Sequence, residues 1–358
     1  MKRSKRNISG YLIAYSAIFL VLVLGVVLLV RSWTVTKYGT LDYRVAILLK
    51  YMTATGGSKE GTLSIVQMRK QREDANKLTG KQEPFANIKD FYIAGPGGKV
   101  PVRMYTPEGS GPFPILLYYH GGGWALGDLN SHDNICRKLA KAAEAVTISV
   151  GYRLAPENPF PAALDDAYAA LQWAQKNAGT FNGNAQKIAV AGDSAGGNLA
   201  AVVSQLSRDQ GPTLVAQVLL YPVTDVSKMD TESYNNFAKG FFLEKKFMEQ
   251  FRKYYVTRKE DWSNPKISPL LAENLKGLPP ALVITNEFDP LLDEGEAYAE
   301  KMKQAGTPVT LTRYKGMIHG FVSLGLLFPQ AGQAIDEMAG FLKGQFGGGE
   351  KAPPISKK

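Results

Sequence analysis

Ile188-Ala189-Val190-Ala191-Gly192-Asp193-Ser194-Ala195-Gly196-Gly197-Asn198-Leu199-Ala200-Ala201-Val202-Val203 changes character in its middle. The first four residues form a short apolar run of the kind that fills a buried strand. The last five carry the spacing of a helix. Between them lies Gly-x-Ser-x-Gly at 192–196. A serine at such a junction sits on a sharp strand-to-helix turn with its hydroxyl exposed. The flanking glycines leave room for backbone strain and close helix–strand packing. The helix N-terminus brings unsatisfied N–H groups to the same place. In a chain with 36 glycines the bare motif carries little alone, and a glycine-rich turn with an incidental serine is the competing reading.

Similar apolar runs flank this stretch on both sides. Ile115–Tyr119, Val146–Val150, Val218–Tyr221, Ala281–Thr285 and Val309–Arg313 read as strands, preceded by strand-like runs at 88–94 and 100–105. Helical stretches at 132–144, 163–177, 195–208 and 291–305 separate most of them. Apolar strands alternating with helices predict an α/β fold with a mostly parallel sheet covered on both faces. Residues 38–85 read as amphipathic helix, broken near Gly56-Gly57. Residues 226–268 interrupt the alternation with an aromatic-rich segment, which reads as an inserted helical cap.

Tyr119-His120-Gly121-Gly122-Gly123-Trp124 follows one of the central strands directly. A glycine run lets backbone N–H groups approach a developing oxyanion without side-chain obstruction. A flexible loop is the alternative. The chain has three histidines, His120, His132 and His319, and only His319 lies after Ser194. The order serine, acid, histidine along the chain then leaves His319 as the one base. Asp289 follows the strand at 281–285, at the carboxyl end where open α/β sheets place their sites. Asp293 and Glu294 are rivals, but they fall inside the helix that Pro290 opens. Asp289 also suits an N-cap of that helix.

The formal net charge is +10, and its distribution matters more than its size. Lys2, Arg3, Lys5, Arg6, Arg31 and Lys37 lie in residues 1–37 with no acid, and residues 350–358 carry a further excess of two. The body between is nearly neutral, which gives no footprint for nucleic acid. The single cysteine, Cys136, excludes an intramolecular disulfide and reads as a small half-buried helix residue. Residues 7–30 carry no charge. About twenty helical residues span roughly 30 Å, the thickness of a bilayer core. The run is longer than a signal-peptide core and ends without a small-residue cleavage pattern. Residues 1–37 are therefore expected to form an uncleaved membrane anchor with a short basic tail. Four charges before the segment against two after it keep the N-terminus cytoplasmic and send the remaining domain, 38–346, across. Residues 347–358, rich in Gly, Pro and Lys, read as a disordered tail.

Taken together, His120-Gly121-Gly122-Gly123-Trp124, Tyr152-Arg153-Leu154-Ala155-Pro156-Glu157, Gly192–Asn198, Asp289-Pro290-Leu291 and His319-Gly320-Phe321 resemble the bacterial hormone-sensitive-lipase-like esterases. The likeness covers about residues 80–345. The anchored arrangement resembles the related arylacetamide deacetylases. The resemblance implies an α/β-hydrolase with an eight-stranded sheet and a cap built from 38–85 and 226–268. It implies Ser194 as nucleophile, Asp289 and His319 as its partners, and the N–H groups of Gly122, Gly123 and Ala195 as the oxyanion hole. His120 would order the glycine loop and not act as base. The implied activity is hydrolysis of short- to medium-chain acyl esters, with no metal or organic cofactor. Trp124, Phe160, Tyr221, Phe241, Phe242 and Phe321 are candidates to line an apolar substrate pocket, and ordinary core packing accounts for each equally well. Deacetylation or amide hydrolysis of small molecules stays open. So does a non-catalytic receptor on the same fold, although the plant gibberellin receptors lack the catalytic histidine that is present here. A homo-oligomer is also left open.

Overall fold

Every residue of Val146–Val150 and of Ala216–Leu220 is buried, which a strand achieves only when both sheet faces are covered. The structure, a computed structural model, describes residues 3–55 and 63–347, and of residues 3–10 the backbone alone. The expected break at Gly56-Gly57 and nearly all of the tail lie outside the described residues. Eight strands form one sheet: β1 (Ile88–Gly95), β2 (Gly98–Tyr105), β3 (Phe113–Tyr119), β4 (Val146–Val150), β5 (Gly183–Asp193), β6 (Ala216–Leu220), β7 (Ala281–Phe288) and β8 (Val309–Ile318). Their order is β1-β2-β4-β3-β5-β6-β7-β8. β2 runs antiparallel to both β1 and β4, and the remaining pairs are parallel.

Alternation along β3 divides the interior into two cores. Ile115, Leu117 and Tyr119 join the cluster on one face, and Leu116 and Tyr118 the cluster on the other. The first face is covered by α5 (Ala162–Asn177), α6 (Ala195–Gln210) and α9 (Leu292–Gln304), through residues such as Leu171, Leu199 and Tyr298. The second is covered by α4 (Asp133–Ala143), which includes the buried Cys136, and α10 (Gln330–Phe346).

The N-terminal part begins with α1 (Arg3–Thr34), which continues through Arg31, Ser32 and Trp33, beyond the uncharged run. Its Tyr11–Thr34 portion has mean hydropathy 2.9, and none of its apolar window is buried. A two-residue-per-strand hairpin follows, Val35–Thr36 against Gly39–Thr40. Next come α2 (Tyr43–Ala54), capped by Asp42, and α3 (Ile65–Ala75), opened by a Ser64–Gln67 capping box. The segment between β6 and β7 holds α7 (Glu232–Asn236) and α8 (Lys245–Tyr255). α8 buries Met248, Phe251 and Tyr255, one stripe of its surface.

Candidate active site

β3 and β5 are neighbours, with Tyr119 opposite Gly192. Their carboxyl ends therefore deliver the glycine loop and the Gly-x-Ser-x-Gly turn to one point, beside the place where strand order reverses. Ser194 takes φ 55° and ψ −118°, a conformation that costs on the order of 1–3 kcal/mol in a non-glycine residue. Its N–H donates to the Leu220 carbonyl at 2.8 Å. A side chain at Gly196 would run into the Tyr119 carbonyl oxygen, and one at Gly192 into Gly196. The glycines are thus required by close approach of backbone to backbone.

Ser194, His319 and Asp289 form a chain of hydrogen bonds. His319 Nδ1 lies 2.7 Å from Asp289 Oδ2. A carboxylate only accepts, so Nδ1 carries the proton and Nε2 is left as an acceptor. Ser194 Oγ donates to that Nε2 at 2.9 Å. The fully buried Asp289 is held by Asn286 Nδ2 at 2.9 Å and by the Leu291 N–H at 2.9 Å. It therefore caps the turn before α9 and faces the imidazole at once. Asp293 instead accepts from the Ser233 N–H at 2.7 Å, and Glu294 from the Thr224 N–H at 2.7 Å. Burial pushes the Glu294 carboxyl well above the usual range.

The glycine loop needs its glycines for a different reason. Gly122 and Gly123 have φ of 126° and 59°, and a side chain at 123 would enter the Phe251 ring. Gly121 N–H donates to Asp193 Oδ1 at 2.9 Å. The N–H groups of Gly122, Gly123 and Ala195 meet no acceptor among the described residues. His120 turns away from the serine: its Nδ1–H donates to the Gly121 carbonyl at 3.0 Å, and its ring stacks on Tyr152 at 4.2 Å. Burial, with His132 nearby, lowers His120 to about 4, so it is neutral at ordinary pH.

Asp193 and His132 are buried contributors that received no role from the sequence. Asp193 Oδ1 also accepts from Tyr118 OH at 3.0 Å and lies 3.0 Å from His132 Nε2. Burial opposes its charge, yet His132, Arg72 and Tyr118 outweigh that and hold the carboxyl well below its ordinary value. One carboxylate thus ties the glycine loop to the residue before the serine. An acidic residue at the buried end of a strand was the available signal, because such a charge demands partners.

A cavity of about 360 Å³ opens over Ser194 and His319. Of the six aromatic candidates only Phe242 lines it. Trp124 stacks on Tyr255 at 4.4 Å, and Phe160 meets the same ring edge-on at 5.9 Å. Tyr221 meets the His319 ring edge-on at 4.8 Å, and Phe321 packs on Tyr314. Phe241 packs on Phe237 and Phe288. Much of the remaining apolar lining comes from Met68 of α3 and from Leu243, Phe247, Met248 and Phe251 of the segment between β6 and β7. These five are on helices or turns whose facing was not legible from aromatic content.

The family described by the alpha/beta hydrolase fold matches residues 116–323, more than half of the chain. The chain belongs to this family. The chain is 48% identical over 245 residues to the carboxylic ester hydrolase LipN of Mycobacterium tuberculosis, an alignment spanning 66% of this chain and 65% of LipN, just under two thirds. It is 37% identical over 280 residues to an arylesterase of Saccharolobus solfataricus, covering 77% of this chain and 90% of the relative. Among solved structures it resembles the ester-hydrolase EH1AB1 from the metagenome of Lake Arreo, complexed with a bipyridine phosphonate derivative. That match has a TM-score of 0.82, 42% identity, and covers 86% of this chain and 100% of the other.

Proposed function

We propose that the hydrolase cleaves carboxylic esters through an acyl-enzyme on Ser194, with short- to medium-chain acyl groups in the cavity. The observation that carries this reading is the unbroken Ser194–His319–Asp289 chain, beside a glycine loop and helix start whose three N–H groups meet no acceptor among the described residues. As Ser194 Oγ attacks the ester carbonyl carbon, its proton passes to His319 Nε2. Asp289 holds the Nδ1–H tautomer and stabilises the imidazolium. The carbonyl oxygen, now negative, faces Gly122, Gly123 and Ala195, each donor worth about 3 kcal/mol of barrier. Collapse breaks the bond to the alcohol oxygen, which takes the proton from His319. Water then attacks the acyl-enzyme, again losing its proton to His319, and the acid leaves as Ser194 recovers its hydrogen. Besides that water, every reacting group in this sequence belongs to the chain or the ester. A fluorophosphonate probe tests the assignment: mass spectrometry is expected to locate one adduct, on Ser194. An unlabelled chain would favour a ligand-binding role for the same cavity.

The likeness to esterases of known name supports hydrolysis, and the apolar lining supports an uncharged acyl chain. Helix α1 supports attachment to a membrane, with the hydrolase domain on the non-cytoplasmic side.

A further inference from the structure

Helix α2 has two apolar faces, and only one is used by the hydrolase body. Val45 and Ala46 are buried, and Leu49 and Met52 turn toward the cavity rim together with Thr53. On another side Tyr43, Ile47 and Tyr51 follow one another at a spacing of four, exposed at 47%, 43% and 65%. Residues four apart share a helix face, so these three make a stripe along α2, a helix about 18 Å long.

The stripe stands on a helix held beside α1. α2 packs against the C-terminal end of α1, and Lys50 Nζ sits 6.0 Å from the Trp33 ring. The eight residues between the two helices are not a free tether. Leu41 N–H donates to the Thr34 carbonyl at 2.9 Å, and Asp42 N–H to the Gly316 carbonyl at 3.1 Å. Gln330 Nε2 donates to Asp42 Oδ2 at 2.9 Å, and the Tyr38 ring packs on Phe237 and Phe241. The end of α1 is therefore fastened to the body at several points, which fixes α2 beside the plane where α1 leaves the hydrocarbon. Arg31, Lys37, Arg44 and Lys50, against Asp42 alone, give this border the basic and aromatic composition of a membrane interface.

We propose that the outer face of α2 rests in the interface of a phospholipid bilayer, and that the cavity behind it receives lipophilic esters from the lipid phase. The second clause rests on the ester-hydrolase reading above. An ester dissolved in the bilayer would then pass over Met52 and Leu49 toward Ser194 without crossing bulk water.

The test uses the full chain in vesicles of phosphatidylethanolamine and phosphatidylglycerol. In Tyr51→Cys a nitroxide label is attached; the native Cys136 is fully buried and stays unlabelled. The label is expected to be more accessible to oxygen than to a water-soluble nickel chelate. In parallel, the Ile47→Glu/Tyr51→Glu variant is assayed on a medium-chain acyl ester of a lipophilic alcohol, dissolved in the vesicles, and on a water-soluble acetyl ester. The expected result is a loss of at least tenfold on the first, with the second within twofold of the unsubstituted chain. A label exposed to water, a label broadened by a neighbouring copy, or equal effects on the two esters would overturn the proposal. If the unsubstituted chain hydrolyses neither ester, the hydrolase reading fails separately, and the label still decides whether α2 meets lipid.

Discussion

Asp289 and His120 show how environment assigns different tasks to ionisable groups at the carboxyl ends of one sheet. Asp289 is buried but fully engaged by Asn286, Leu291 and His319. Asp289→Asn keeps the shape and disturbs the tautomer, so kcat is expected to fall by about 10⁴-fold with KM little changed. Steady-state kinetics on a soluble ester measure this. His120 works in the opposite sense. Its folded-state value of about 4 lies below the 6.5 of an ordinary imidazole. The unfolded chain therefore binds a proton first as pH falls, and stability present at pH 7 declines between about 6.5 and 4. The shift corresponds to roughly 3 kcal/mol. Urea denaturation at pH 7 and pH 4 should show that decline, and it should shrink in His120→Asn. The sequence singled out Ser194, Asp289 and His319 because chain order and a shortage of histidines leave few combinations. Asp193 and His132 went unread because their significance is a contact between the end of β5 and the residue that precedes α4, which no local pattern encodes.

The elbow between β5 and α6 is the element on which the site depends. Gly196→Ala would drive a methyl into the Tyr119 carbonyl and push β3 from β5. A loss of about 3 kcal/mol is expected, read as a lower urea midpoint, with activity falling alongside. The parallel strands were legible because each is a short apolar run bounded by turn residues. Their ends were less so: β7 continues through Asn286 and Glu287 to Phe288, and β8 runs on to Ile318. Polar residues at these ends pair with neighbouring strands or reach the site, so hydropathy fades before the strand does. The cavity lining was the least legible feature. Trp124, Phe160, Tyr221, Phe241 and Phe321 are as apolar as the residues that do line it. Whether a ring meets solvent or another ring depends on how α3 and α8 sit over the sheet, a matter of tertiary packing.

On the scale of the whole molecule, one chain joins a long exposed apolar helix to a nearly neutral hydrolase body. Transfer of about twenty apolar residues into hydrocarbon exceeds what salt or alkali disrupts. Full-length protein is expected to remain with the membrane fraction after carbonate washing, while a chain lacking residues 1–37 is released; recovery of the full chain in the soluble fraction would contradict the anchor. The account as a whole stands on Ser194 attacking an acyl carbon. The most direct measurement is hydrolysis of p-nitrophenyl esters of graded acyl length by the full chain and by Ser194→Ala. The account predicts turnover by the first, best on short to medium chains, and a fall of about 10⁴- to 10⁶-fold in kcat for the second. Equal rates for the two proteins would contradict it.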